Sequence, residues 1–192
     1  MKGICFIEQL FHATIKGRKT QTRRTMEQPI SFEGICGGVY IGKPIGKKGF
    51  IKPRYKVGEI VYLKEPYSLD ALAFDGEITY KFDNPNNEIV SGGLEYENKR
   101  CMPAKYARYF IKITAVRCER LQNISDEDCM KEGIYKHISH AKAYWKNGFD
   151  GLMFYAKRHA YAALINKING KGTWESNPYV WVYDYELTDK DN

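Results

Sequence analysis

The sequence of 192 residues contains no hydrophobic run that approaches the roughly 20 residues needed to cross a bilayer. Glu8 interrupts the first ten residues, where a signal peptide would carry its apolar core. We therefore expect a cytoplasmic protein that does not insert into membranes. Internal repeats are also absent, and 43% hydrophobic with 28% charged residues is typical of a globular chain. The length predicts a single domain.

Patterns that would indicate a disulfide framework or a metal site are missing as well. The five cysteines are odd in number and contain no C-x-x-C pair, so we expect reduced thiols. Of the four histidines, His137 and His140 stand three apart, but no carboxylate or cysteine lies close to them in sequence. The sequence thus predicts neither a metal site nor a cofactor.

Acidic residues are scarce in the first third of the chain. Residues 1–58 carry 12 basic and 3 acidic side chains, whereas residues 59–192 carry 18 and 20, so the net charge of +7 arises entirely in the first segment. A local basic field indicates an anionic partner. Residues 31–58 hold seven glycines and, from Lys43 to Lys56, six basic residues and no acid. We interpret this segment as a functional loop and its basic part as a flap that contacts phosphate.

Hydrophobic periodicity predicts more strands than helices. Strands are expected at residues 3–7, 59–63, 78–82, 109–116 and 179–187, and helices after Ile7, after Ser125 and across residues 151–168. Ser125 and Asp128 occupy the two positions of a capping box. Because strands and helices do not alternate regularly, the pattern favours an α+β domain built on a mostly antiparallel sheet or small barrel.

The segment Gly17-Arg18-Lys19-Thr20-Gln21-Thr22-Arg23-Arg24 has no apolar face, so burial does not explain its residue types. Gly17 lets the first helix end tightly, and an extended chain after it would present basic side chains and hydroxyls to phosphates or bases. A solvated basic strand edge would have the same composition. The spacing alone leaves both interpretations open.

The pattern G-x-K-x-x-T-x-R in this segment resembles the signature of ASCH domains, a branch of the PUA-like superfamily. Residues 55–62, Y-K-V-G-E-I-V-Y, are similar to the K-x-G-D-x-L start of a strand in such domains. L-Q-N-I-S at 121–125 with E-G-I at 132–134 is similar to their L-x-x-I…E-G segment. The ending, with Asn177-Pro178 before an aromatic strand, is like that of the longer ASCH proteins common in phages and prophages. The resemblance implies a PUA-like, mostly antiparallel β-barrel with surrounding helices.

One bacterial ASCH group, the amidohydrolases that remove the acetyl group from N4-acetylcytidine, is similar residue by residue in its motif. This resemblance implies catalytic roles for Lys19, Thr22 and Glu132. Cleavage of an amide needs a nucleophile, a base and a proton donor. Thr22 would supply its hydroxyl or orient a water. Lys19 would act as a base if neighbouring arginines and partial desolvation lower its pKa, and Glu132 would share the proton transfers or hold Lys19 in place.

Other residues are candidate contacts to nucleic acid or substrate, namely Arg18, Arg23, Arg24, Lys64, Glu65, Tyr67 and Arg108. Glu65 follows Lys64 at a strand end and is either a second carboxylate of the cleft or part of a surface ion pair. Aromatic residues reach 14%, with 15 tyrosines. They would stack single-stranded nucleic acid on a basic floor, or fill a small barrel.

Other ASCH members are interpreted as RNA-binding domains or nucleases, so the function remains open between three kinds. These are hydrolysis of an N-acyl nucleoside, cleavage of RNA, and non-catalytic recognition of RNA or modified DNA. The expected partners are RNA, single-stranded nucleic acid or a modified nucleoside. The amidohydrolases are much shorter, and this chain has insertions near residues 27–54, 66–106 and 136–172 that can reshape a pocket.

Overall fold

The computed structural model describes residues 1–26, 30–36, 39–44, 51–69, 78–83, 96–139, 142–148 and 151–190. Three α-helices lie in these ranges, α1 (Glu8–Ile15), α2 (Asp126–Lys131) and α3 (Lys157–Asn169). The strands described are β1 (Lys2–Cys5), β2 (Gln21–Thr25), β3 (Ile30–Cys36), β4 (Val39–Pro44), β5 (Ile60–Lys64), β6 (Tyr67–Leu69), β7 (Ile78–Tyr80), β8 (Phe110–Arg120), β9 (Tyr135–Ser139), β10 (Lys142–Lys146) and β11 (Tyr179–Thr188). The predicted α+β class is therefore confirmed.

A five-stranded sheet in the order β1-β5-β8-β11-β2 organises the fold. Only β1 and β5 run parallel in this sheet, while the other neighbours pair antiparallel. The remaining strands form three two-stranded sheets, β3 with β4, β6 with β7, and β9 with β10. The sheet is thus mostly antiparallel, as the sequence predicts.

The two edge strands of the five-stranded sheet, β1 and β2, lie close to each other. Arg24 at the end of β2 donates from Nη2 to the carbonyl oxygen of Cys5 at the end of β1, over 2.8 Å. No backbone pairing joins β1 to β2 within the described ranges, so the described sheet is not a closed barrel. We call the gap that Arg24 bridges the seam.

Apolar side chains from both helices and sheet form one core. Phe11 on α1, Tyr161 on α3 and Ile111 on β8 are each at most 1% exposed and belong to the same buried cluster. On β11, consecutive residues Val180 to Tyr183 are all buried, so both faces of this strand are covered. The core interpretation of the β11 aromatics is thereby confirmed.

Three predicted elements differ from the structure. The 31–58 loop contains the β3–β4 hairpin, whose register shifts between Phe32 and Gly34, because glycines at a bulge mask a strand pattern. The helix predicted at 151–168 begins only at Lys157, since Gly151 has φ of +71° and Phe154 instead bridges to Trp145. The strand predicted at 78–82 gives way to a 3₁₀ turn after Tyr80.

Several predictions fall partly outside the described residues. These are residues 45–50 of the basic flap predicted at 43–56, much of the 66–106 insertion, and His140. In the part of the chain that is described, no helix has the length and apolar character to cross a membrane.

Candidate functional site

The C-terminal end of α1 delivers Lys19 to the protein interior. Gly17, with φ of +69°, donates its backbone N–H to the carbonyl of Thr14 at 2.9 Å. The backbone N–H groups of Arg18 and Lys19 both donate to the carbonyl of Ala13, at 2.9 and 3.0 Å. The tight helix end predicted at Gly17 is confirmed, and it reverses the chain into β2.

The Lys19 side chain is buried, with 1% exposure, and all three ammonium protons have acceptors. Nζ donates to the carbonyl of Gln21 at 2.7 Å, to the carbonyl of Glu132 at 3.1 Å and to Oε2 of Glu132 at 2.6 Å. Burial lowers the pKa of Lys19, the Glu132 carboxylate offsets part of that effect, and Arg24 and Arg23 contribute less. Desolvation is thus the larger cause, and the neighbouring cations predicted to lower this pKa are secondary.

Glu132 is fixed by a hydrogen bond of its backbone and by ion pairs of its carboxylate. It is the C-cap residue of α2, and its N–H donates to the carbonyl of Asp128 at 2.9 Å. Gly133 follows with φ of +103°, and a Cβ there would lie 3.0 Å from Cδ2 of Leu10. The Glu132 carboxylate lies between two cations, with Oε2 2.6 Å from Lys19 Nζ and Oε1 3.3 Å from Arg23 Nη1.

Arg23 forms an ion pair with this carboxylate and is not exposed at the protein surface. Its guanidinium is 0% exposed and also pairs through Nη2 with Glu119 at 2.6 Å and Asp128 at 2.8 Å. Arg23 lines the same cavity as Lys19 and Glu132, so its predicted contact with nucleic acid or substrate stays a prediction. The interpretation of this segment as a solvated strand is wrong, because β2 pairs with β11 and Gln21, Thr22 and Arg23 are buried.

Asp128 belongs to the same network. Ser125 Oγ accepts from the Asp128 N–H at 3.0 Å, as the capping box predicts. The Asp128 carboxylate instead accepts from Arg23 and Arg117, each at 2.8 Å, so the reciprocal half of the capping box is wrong. Burial would raise the pKa of Asp128, but its hydrogen bond from Arg23 and the charge of Arg23 lower it below its ordinary value.

Lys19, Thr22 and Glu132 line one cavity of about 350 Å³, which we call the Lys19 cavity. The structure therefore brings together the three residues predicted to be catalytic. Thr22 is 4% exposed, and its hydroxyl makes no hydrogen bond with another described residue. Apolar side chains of β1's end, α1 and α3 supply part of the remaining wall, including Phe6, whose ring centroid lies 5.3 Å from Lys19 Nζ. The cavity is also lined by Arg23, Arg24, Lys99 and Arg100.

Tyr161 on α3 is a residue of this cavity that the sequence did not indicate. It is 1% exposed, and no described residue bonds to its hydroxyl. Burial, and to a lesser degree the charge of Glu132, raise the pKa of Tyr161, so its hydroxyl is a neutral donor. The sequence alone identifies Tyr161 only as one apolar position on a helix face.

Glu65 and Arg108 form a separate cluster that does not line the Lys19 cavity. Glu65 is 0% exposed, and its two oxygens accept from Nε and Nη2 of Arg108 at 2.8 Å each. Arg108 Nη2 also donates to Asp83 at 2.9 Å. Glu65 is therefore neither a cleft carboxylate nor a surface ion pair, and burial raises its pKa against the effect of Arg108. Their sequence separation of 43 residues concealed this pair.

Of the four remaining candidates, two line cavities and two lie elsewhere. Arg24 lines the Lys19 cavity and a larger cavity beside it, and Lys64 lines only the larger one. Arg18 is exposed, 5.3 Å from the ring of Tyr135, and lines neither. Tyr67 is 7% exposed and packs against the Tyr106 ring at 5.3 Å.

The Lys19 cavity offers acid–base chemistry, with a lysine and a glutamate 2.6 Å apart and the hydroxyl-bearing residues Thr22 and Tyr161 in its lining. No cluster of His, Cys, Asp and Glu able to hold a metal ion occurs among the described residues. Comparison of the chain with known protein families, curated proteins and solved structures finds no match. The function therefore has to be inferred from the site.

Proposed function

We propose that this protein is a hydrolase that removes the acyl group from the exocyclic amine of a modified nucleoside, with the base bound in the Lys19 cavity. The observation that carries the proposal is the buried Lys19–Glu132 pair, which lines a cavity together with Thr22. At about 350 Å³ the cavity lies at the lower end of the range for small-molecule sites, about 300 to 1,000 Å³. That volume suits a single nucleoside.

The pair can both accept and donate the protons of amide hydrolysis. Glu132 takes a proton from the attacking water as the bond between its oxygen and the acyl carbon forms. Lys19 gives a proton to the amine nitrogen as the carbon–nitrogen bond breaks. A proton then returns from Glu132 Oε2 to Lys19 Nζ across their 2.6 Å contact, which restores both groups. Because burial lowers the pKa of Lys19, its ammonium is a stronger acid than an exposed lysine.

The two hydroxyls position the reactants. Thr22 lines the cavity, and its hydroxyl makes no hydrogen bond with a described residue, so this hydroxyl holds the attacking water. Tyr161 remains neutral at physiological pH because burial raises its pKa, and it donates a hydrogen bond to the acyl oxygen as negative charge develops there. Arg23 fixes Glu132 Oε1 from the opposite side at 3.3 Å, so the carboxylate keeps one orientation.

The same residues support the assignment of the chain to the ASCH domains of the PUA-like superfamily. Lys19 and Thr22 of the motif meet Glu132 at one cavity although more than 100 residues separate the two segments. The edges of the sheet approach each other across the seam, as a barrel-like sheet requires.

The test is incubation of the purified protein with N4-acetylcytidine, other acylated nucleosides and short RNAs, with products identified by mass. We expect deacylation of a nucleoside by the wild type and its loss in Lys19→Met and Glu132→Gln. The matched controls are Lys16→Met, an exposed lysine at the end of α1, and Glu127→Gln, an exposed glutamate on α2. Both controls should retain activity.

The alternatives suggested by the sequence give different results in the same assay. Cleaved RNA without deacylation would replace the proposal with a ribonuclease. Binding of RNA without any product, retained in Lys19→Met, would replace it with a non-catalytic recognition module. Full activity of Lys19→Met or Glu132→Gln would remove that residue from the mechanism.

A further inference from the structure

A second cavity of about 560 Å³ adjoins the Lys19 cavity along the seam. The two share Cys5 on β1, Arg24 on β2 and Arg100. The second cavity extends between the two edge strands and reaches Lys52 and Arg54. The two cavities are therefore immediate neighbours, separated by these shared residues.

The second cavity is lined by five cations and no acidic residue, and we call it the cationic cavity. The cations are Arg24, Lys52, Arg54, Lys64 and Arg100. None of them forms an ion pair with a carboxylate of the described ranges, and their side-chain hydrogen bonds within those ranges go to neutral carbonyls. Arg24 donates to Cys5 and Lys64 donates to Arg100, at 2.8 and 2.7 Å.

The cations of the cationic cavity differ from the other buried or half-buried arginines because they have no carboxylate partner among the described residues. Arg23 and Arg108 each contact at least two carboxylates. Five like charges around one cavity repel each other, and an anion in the cavity relieves that repulsion. The side chains of Lys52, Arg54 and Arg100 are exposed, so an incoming anion can reach them.

Aromatic side chains line the same cavity. Trp181 on β11 is 5% exposed, and its indole N–H has no acceptor among the described residues. Tyr55 and Tyr183 pack edge to face at 5.2 Å, and the Arg54 guanidinium lies 5.6 Å from the Tyr55 ring. These rings are buried, so they contribute apolar wall to the cavity, and the Trp181 N–H is a donor that a bound ligand can use.

We infer that the cationic cavity is a phosphate-binding site, and that the substrate of the Lys19 cavity is a nucleotide, free or within a single strand, rather than a free nucleoside. This inference rests on the proposed function for the identity of the base. The phosphate next to the bound base lies at Arg24 and Arg100, which belong to both cavities, and Lys52, Arg54 and Lys64 hold it or the following phosphate.

The test compares kcat/KM for N4-acetylcytidine, its 5′-monophosphate, its 3′-monophosphate and a short single-stranded RNA that contains it. We expect at least a tenfold preference for a phosphorylated substrate, and loss of that preference in Lys52→Ala/Arg54→Ala. The control is Lys171→Ala, an exposed lysine in the turn after α3, which should keep the preference. Preference for both monophosphates identifies a free nucleotide as the substrate, and preference for the RNA alone identifies a strand.

A binding measurement separates this inference from the proposed function. Fluorescence anisotropy with a labelled unmodified single-stranded RNA requires no turnover, so it tests the phosphate site even if no deacylation occurs. The logarithm of the affinity should fall with the logarithm of the salt concentration. The slope should be about 1.4 smaller in magnitude in the double variant, since each phosphate contact on a single strand contributes about 0.7.

Two results would overturn the phosphate site. The first is equal kcat/KM for nucleoside and nucleotides in the wild type. The second is an RNA affinity and salt slope that Lys52→Ala/Arg54→Ala leaves at the Lys171→Ala values. Circular dichroism of each variant verifies that it is folded, and Lys64→Met offers a second variant if the double variant does not fold.

Discussion

The buried Lys19–Glu132 pair makes a quantitative prediction about stability, because its two side chains are only 1% and 5% exposed. Removal of one member of a buried pair leaves an uncompensated charge and costs about 3 to 5 kcal/mol. We expect Lys19→Met to cost about 3 kcal/mol, at the lower end, because Arg23 still compensates Glu132. Glu132→Met should cost about 4 kcal/mol, because the Lys19 ammonium then keeps only two carbonyl acceptors.

The double variant Lys19→Met/Glu132→Met should cost much less than the two single variants together. It buries no unpaired charge, and two methionines fill a similar volume, so we expect a coupling energy of about 3 kcal/mol. Urea unfolding followed by circular dichroism at one pH measures all four proteins, with Lys16→Met as the surface control. Additive effects within about 0.5 kcal/mol would refute the reasoning that the two side chains form one buried pair.

Three further predictions concern residues around that pair. Tyr161→Phe should lower kcat about 10²-fold or more with little change in KM, measured by steady-state kinetics, since its hydroxyl acts on developing charge. Asp128→Asn should flatten the stability curve in acid. Arg23 lowers the pKa of Asp128 from its ordinary value, so their pairing stabilises the fold above that ordinary pKa and is lost as the pH falls through the lowered one. Urea midpoints between pH 2 and 6 check this, and parallel curves would contradict it. Gly133→Ala should cost about 1 to 3 kcal/mol in unfolding free energy, because φ is +103° and the new Cβ meets Leu10 at 3.0 Å.

Local sequence signals predicted the elements that carry the site. Gly17 and the polar run after it predicted a helix end followed by extended chain, because a positive φ at glycine is a local requirement. The aromatic and β-branched runs predicted β8 and β11 within a few residues. The three candidate catalytic residues lie in one cavity, as their resemblance to a known motif implied.

The pairing of strands and the packing of helices determine features of the site that local sequence patterns do not predict. The burial of Arg23 depends on the pairing of β2 with β11, which places Gln21 opposite Asp184 and Arg23 opposite Val182. The spacing of residues within the motif does not predict this partner strand. The same holds for Tyr161, whose hydroxyl acquires significance only because α3 packs beside Glu132.

The charge distribution has one property that the sequence predicts and another that only the structure shows. The excess of basic residues before residue 59 predicted an anionic partner. The structure divides these cations into two groups, since Lys19 and Arg23 are buried in ion pairs while Arg24, Lys52 and Arg54 line the cationic cavity. Composition alone cannot separate the two, because pairing depends on carboxylates more than 90 residues away.

The most direct test of the central claim is a mass spectrum of N4-acetylcytidine after incubation with the wild-type protein and with Glu132→Gln, Glu127→Gln serving as the matched control. We expect the wild type and the control to replace the acetyl group by hydrogen and release acetate, while Glu132→Gln leaves the substrate intact. The same substrate offered as its 5′-monophosphate covers the case of a nucleotide. Unchanged substrate with the wild type in both forms would contradict the account.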